Sequence, residues 1–229
     1  MTLRTNARLA GSMFLLYIAT GVGTMILFNQ ATRGAEGTAA TLASIAQHES
    51  LVRMTAVLTL LTFVCAVVLA VTLYVLTRDQ DPHLAMIAMC CRVSEGVIAA
   101  VSAVGTLGLV AVATASTAAS PDAAASQALG ALLLKQDGGS TLVGATCFSV
   151  GSTLFSYLFL RARSIPVPLA WLGVFASVLL VVALPARIAG LLGGPMAYYV
   201  WIPMALFEVT LALWLIIKGA AAPMRTQSA

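Results

Sequence analysis

Six apolar stretches dominate this chain. Each is near the roughly 20 residues that an α-helix needs to cross a hydrocarbon core about 30 Å thick. They run approximately over 9–28, 51–77, 84–117, 140–160, 167–190 and 196–217. A bilayer offers backbone N–H and C=O groups no water, so a crossing segment must satisfy them internally, and a helix does this. The expected fold is therefore all-α: a polytopic membrane protein, a six-transmembrane-helix bundle forming a single membrane domain over 1–229. The composition agrees, with 60% hydrophobic and 9% charged residues and a mean hydropathy of +0.99, where a soluble domain carries roughly 25% charged residues. No polar stretch exceeds about 30 residues, which is too short to fold alone. Arg4 and Arg8 before an apolar run resemble the start of a secretory signal. The run continues from Leu9 to Phe28 with no clear cleavage site, however, so it reads as a retained first span. The third stretch is too long for one crossing, and its far end, Ala111 to Ala119, is expected to project beyond the bilayer.

Topology follows from the basic residues between spans. One side collects Arg4, Arg8, Arg78, Arg161, Arg163, Lys218 and Arg225, whereas the other holds Arg33 and Lys135. The positive-inside rule then places both termini in the cytoplasm. The two internal turns, Arg78 to His83 and Arg161 to Pro166, are short, so spans 2–3 and 4–5 are antiparallel neighbours. The outer loops, Asn29 to Ser50 and Ala118 to Gly139, are longer and carry helical periodicity: Leu42, Ile45 and Ala46 in one, Leu129, Leu132 and Leu133 in the other. Ser120-Pro121-Asp122 combines a cap, a first-position proline and a first-turn acid, a helix start. Gly138-Gly139 reads as that helix's end. Both loops are thus expected to form short amphipathic helices, packed at the interface or acting as a lid over an outward cavity.

Inside the spans, a charged side chain is costly and by default marks a functional site. Arg92 and Glu95 lie one turn apart in span 3. At 1.5 Å per residue, Glu95 lies about 16 Å from the cytoplasmic end and Glu208 about 18 Å from the outer end of span 6, both close to mid-membrane. Arg53 lies about one turn inside the outer end of span 2, and Arg187 near that of span 5. Arg92, Glu95, Ala99, Ser102 and Thr106 share a helix stripe, opposite Ile87, Val97, Val101 and Leu107. Span 1 offers Tyr17, Thr20, Gly21 and Thr24 at such a spacing, and span 6 offers Tyr198, Trp201, Ala205 and Glu208. Pro185 and Pro203 interrupt the last two spans, each freeing a carbonyl, near Val181 and Tyr199.

Several function classes are excluded. The basic residues are scattered singly, without the patch or aromatic interleaving of a nucleic-acid interface. Cys65, Cys90, Cys91 and Cys147 lie inside apolar spans without metal spacing and serve as small packing residues. His48 and His83 sit outside the spans, which removes a bis-histidine haem and an intramembrane His-ligated zinc. No zincin, nucleophile-elbow or phosphate-loop motif occurs. No cofactor, metal or catalytic residue is expected.

With the spans in place, the chain resembles a bacterial integral-membrane family known as domain of unknown function 4386. The likeness is carried by Arg8-Leu9-Ala10-Gly11, Leu73-Tyr74, Arg92 with Glu95, Arg163-Ser164-Ile165-Pro166, Glu208, Trp214-Leu215 and Lys218-Gly219. It implies a six-helix protein of the bacterial plasma (inner) membrane and brings no reaction, substrate or cofactor with it.

The leading expectation is a non-enzymatic, outward-facing polar cavity that binds or moves a small molecule or ion. Glu95 and Glu208 would be the acceptors, and Arg92 would set the charge state of Glu95. Arg53 and Arg187 would guard the outer mouth, with Tyr17, Tyr198 and Trp201 lining the interior. The alternative is a structural or accessory membrane protein that meets a partner through its spans, its buried charges being structural pairs: Arg92 with Glu95, Arg53 with Glu49, and Glu208 with Arg53 or Arg187. A third option, an intramembrane enzyme using paired acids, needs Glu95 and Glu208 side by side.

Overall fold

The computed structural model describes residues 2–115, 123–194 and 196–220. Among these, the chain is all-α: α1 Leu3–Ala31, α2 Gly37–Gln47, α3 Glu49–Thr77, α4 Pro82–Ala115, α5 Ala123–Ala162, α6 Val167–Ile188, α7 Met196–Tyr199 and α8 Ile202–Ile217. Six helical segments are long and apolar enough to cross a membrane, α7 and α8 together forming the last, Met196–Ile217. The faces of α4 separate as expected. Arg92 and Glu95 are buried, whereas Ile87, Val97, Val101 and Leu107 are exposed, a lipid-facing apolar stripe.

The helices divide between two compact units. The first comprises Met1–Leu16, Cys65–Gly96 and Gly144–Ala229. Its core uses small residues so that helices approach closely, as is usual where lipid supplies no hydrophobic drive between helices. α1 buries Ala7 and Ala10, and Gly11 beside them meets α8: a Cβ on Gly11 would stand 2.6 Å from the Ala212 carbonyl oxygen. α6 buries Leu169, Gly173, Ala176, Leu180 and Ala183, a clean i, i+4, i+7 stripe, and packs on α8. Asp81 caps α4, its Oδ1 accepting from the backbone N–H groups of His83 (3.1 Å) and Leu84 (3.0 Å). Its Oδ2 lies 3.9 Å from Arg161 Nη1, so the α3–α4 and α5–α6 turns lie side by side at one end of this unit. Gly219 ends α8 with φ +77°, its N–H bonded back to the Trp214 carbonyl, and a Cβ on it would stand 3.8 Å from Arg4 Cγ, so α1 begins where α8 ends.

The second unit comprises Tyr17–Val64 and Val97–Val143. The expected amphipathic helix of the first outer loop is α2, which buries Leu42 and Ile45 against Ala31, Val52, Leu109, Val110 and Ala113. Ser44 Oγ donates to the Ala31 carbonyl at 2.7 Å and pins α2 to the end of α1. Within the spans of this unit, Thr62 Oγ1 donates to Thr20 Oγ1 at 2.8 Å.

The second outer loop differs from expectation. Its helix is not separate but is the first part of α5, 40 residues long, or about 60 Å, twice the hydrocarbon thickness. Gly138-Gly139 do not end it. Neither glycine has a positive φ, and Ser140 and Thr141 hydroxyls bond back across them to the Gln136 and Asp137 carbonyls at 2.6 and 2.9 Å. Two glycines cost roughly 1 kcal/mol each in a helix, which continuous i→i+4 bonding overrides. Leu133 faces the unit's core, while Leu129 and Leu132 are exposed. The expected helix start at Ser120-Pro121-Asp122, like the far end of the third stretch beyond Ala115, lies outside the described residues.

Candidate functional site

The first unit contains a buried ionic cluster. α4 presents Arg92 and Glu95 on one face, three residues apart, and their side chains form a salt bridge, Nη1 to Oε2 at 2.9 Å. Arg92 is 1% exposed and Glu95 7%. This is the i, i+3 pairing that the spacing allows. The Arg92 Cζ also lies 4.6 Å from the centre of the Phe148 ring on α5. The ring's electron-rich face receives the guanidinium, a contact worth up to about 2 kcal/mol when desolvated. Trp201, the residue before α8, lies against the same ring at 6.2 Å between centroids and 36° between planes.

Glu208 joins this cluster from α8. The buried stripe of that helix is Met204, Phe207, Glu208, Leu211, Ala212 and Leu215, so a carboxyl occupies a position where the packing pattern calls for an apolar side chain. Glu208 is 7% exposed. Arg92 and Glu95 are the charges that bear on it. Together with Arg92 it lines a small cavity, about 10 Å³ in water-centre volume, room for about one water molecule. Ser152 and Ser156 of α5 supply the cavity's hydroxyls; Phe14, Phe155 and Phe159 are among its apolar walls. The Glu208 Oε1 is fully buried and has no hydrogen-bond partner among the described residues. An unsatisfied buried carboxyl oxygen costs free energy unless something else, a proton or an ion, meets it.

Two glycines make the cluster possible. A Cβ on Gly151 would stand 3.0 Å from the Ala88 carbonyl oxygen and 3.1 Å from Arg92 Cγ, so α4 and α5 cross closely at Arg92. A Cβ on Gly173 would stand 2.5 Å from the Phe207 ring and 2.6 Å from Ser156 Oγ, so α5, α6 and α8 converge on that glycine. Sequence reasoning missed Gly151, Gly173, Phe148, Ser152 and Ser156. Each looks like ordinary packing in an apolar helix, and no local spacing announces which neighbour it meets.

The remaining expected site residues fall elsewhere. Tyr198 lies on α7, 72% exposed. Arg187 lies in the last turn of α6, half-buried. Tyr17 and Arg53 belong to the second unit. There Arg53 is exposed and its Nε meets Glu49 Oε1 at 2.6 Å, the i, i+4 pair expected from sequence. The expected span-6 stripe of Tyr198, Trp201, Ala205 and Glu208 breaks down. The helix is interrupted at Val200-Trp201, which shifts the phase of everything before it, and within α8 the stripe passes through Met204 while Ala205 is exposed. Pro203 accordingly does not kink a continuous helix; it sits in the first turn of α8, where a missing N–H costs nothing. Pro185 does lie inside α6.

Fold and site together define a polytopic all-α membrane protein, in contact with the lipid bilayer, with an Arg–Glu–Glu cluster buried among its helices. The chain belongs to the family described as domain of unknown function (DUF4386), whose model matches residues 9–219. This is the family that its span motifs resemble, and the match includes Arg92, Glu95 and Glu208. No curated protein and no solved structure matches the chain.

Proposed function

We propose that this protein binds a small ion at the Arg92–Glu95–Glu208 cluster and moves it across a bacterial plasma membrane, with both termini in the cytoplasm. The carrying observation is Glu208. It lines a water-sized cavity beside Arg92, and its Oε1 is buried without a hydrogen-bond partner among the described residues. One guanidinium facing two carboxylates is one positive charge short of neutrality, and an apolar interior penalises the imbalance. The cavity volume favours an ion over an organic solute, which needs pockets of about 300–1,000 Å³. The reading rests on Arg92, Glu95 and Glu208 alone, and it involves no covalent chemistry.

The test is electrical. Purified protein in liposomes on a solid-supported membrane is exposed to jumps in pH, Na⁺ and K⁺. The wild type gives a current for one of these ions, and Glu208→Gln, eluting as a monodisperse peak like the wild type, gives none. A wild type silent to all three jumps, or a Glu208→Gln protein with undiminished current, would sink the proposal.

A second reading is favoured by one observation, the 2.9 Å Arg92–Glu95 bridge beneath Phe148. That geometry suits a clasp that sets the register of α4 against α5, in a protein that works through helix contacts with a partner.

A further inference from the structure

We infer that the ion is a proton and that Glu208 is the group that takes it up and releases it. This rests on the reading above that an ion completes the cluster, and it narrows which one.

The first argument is donor count. Hard metal cations take about six oxygen ligands or more. Among the lining residues, the side chains that carry oxygen are Glu208, Ser152 and Ser156, and the others, Arg92 apart, have hydrocarbon side chains. A metal cation would sit under-coordinated beside a guanidinium of its own sign. A proton needs a single oxygen lone pair, and the Glu208 Oε1 has one without a partner.

The second argument separates the two carboxyls. Glu95 is joined to Arg92 at 2.9 Å, so its Oε2 already has a cation against it. Glu208 faces the cavity; Glu95 is not part of its lining. The exchangeable site is thus the carboxyl next to the space that admits a water molecule.

The third argument is the surroundings. α4 brings Arg92 and Glu95 to bear on Glu208. α1 contributes Phe14 to the cavity, α3 Leu73, and α5 its serines and phenylalanines. Cys65 and Tyr74 of α3 are outside the lining, and α6 carries no titratable side chain between Val167 and Ala186. The proton balance is therefore simple. The Glu208 carboxylate accepts H⁺ from hydronium in the aqueous phase, leaving water, and the carboxylic acid returns it to water in the reverse step. A Cβ on Gly173 would stand 2.6 Å from Ser156 Oγ, so the glycine leaves room for that hydroxyl beside the cavity that Ser156 helps to line.

The test is pH-difference infrared spectroscopy of the full chain in lipid nanodiscs. The wild type shows a carboxylic C=O band that titrates with pH and shifts in D₂O. Glu208→Gln removes the band, Glu95→Gln displaces it, and Glu208→Asp, which keeps the carboxyl, retains it at a shifted position. A band that survives Glu208→Gln, or one removed only by Glu95→Gln, overturns the assignment. Current for Na⁺ or K⁺ without any for protons also overturns the inference while leaving the ion-site reading standing. A Glu208 band without current for any ion overturns transport but leaves the protonation site.

Discussion

Replacing Arg92 with leucine tests how the cluster is held. Arg92 is 1% exposed, bridges Glu95 at 2.9 Å, lies 4.6 Å from the Phe148 ring centre and shares a cavity with Glu208. Arg92→Leu strands two carboxylates in an apolar interior. Breaking a buried pair by removing one partner costs about 3–5 kcal/mol. The lost cation–π contact adds up to about 2 kcal/mol, which the leucine's own burial, about 1.5–3 kcal/mol, roughly offsets. The net expectation is about 3–5 kcal/mol. At about 2–4 °C per kcal/mol for a domain of this size, the unfolding midpoint falls by about 6–20 °C. Intrinsic fluorescence in nanodiscs reads this directly, because Trp201 stands against Phe148 beside the cluster. Adding Glu95→Leu removes one stranded charge, so the double variant recovers part of the loss and the cycle shows a coupling on the order of 2 kcal/mol. An Arg92→Leu loss below about 1 kcal/mol, or effects additive within about 0.5 kcal/mol, would refute the reasoning. Either result would mean that Arg92 does not carry the charge balance of the two carboxylates, and that the three side chains do not act as one coupled unit.

Two further substitutions test the helix geometry. Gly138→Ala and Gly139→Ala meet open space in a continuous helix, so each raises the midpoint, a gain of about 0.5–1 kcal/mol; a loss would restore the helix end that Gly138-Gly139 imply from sequence. Gly11→Ala brings a methyl to within 2.6 Å of the Ala212 carbonyl oxygen, a backbone atom that cannot rotate away. It lowers the midpoint by about 1–3 kcal/mol equivalent, and an unchanged midpoint would mean that α1 and α8 do not cross so closely.

The site was partly legible in sequence for reasons that can be assigned residue by residue. Arg92 and Glu95 are three apart on a helix, so their pairing is a matter of local geometry, as is that of Arg53 with Glu49. Glu208 lies in register with Phe207, Leu211 and Leu215, and its inward direction follows from that spacing. Tyr198 was misplaced because its phase was carried across a helix break at Val200-Trp201, of which Pro203 in the first turn of the next helix is the local signal. Gly138-Gly139 misled because local propensity is weak beside a continuous ladder of hydrogen bonds.

Composition and apolar run lengths alone settle the all-α membrane architecture, because only a helix, or a closed barrel this chain does not resemble, satisfies its own backbone in lipid. Local spacing alone settles which charges share a helix face. Tertiary structure decides the rest: that Glu208 of α8 reaches the Arg92–Glu95 pair of α4, that Phe148 covers Arg92 with Trp201 against its ring, and that Gly151 and Gly173 allow the crossings. These are contacts between residues far apart in the chain. Close packing fixes them jointly, so no single helix carries the information.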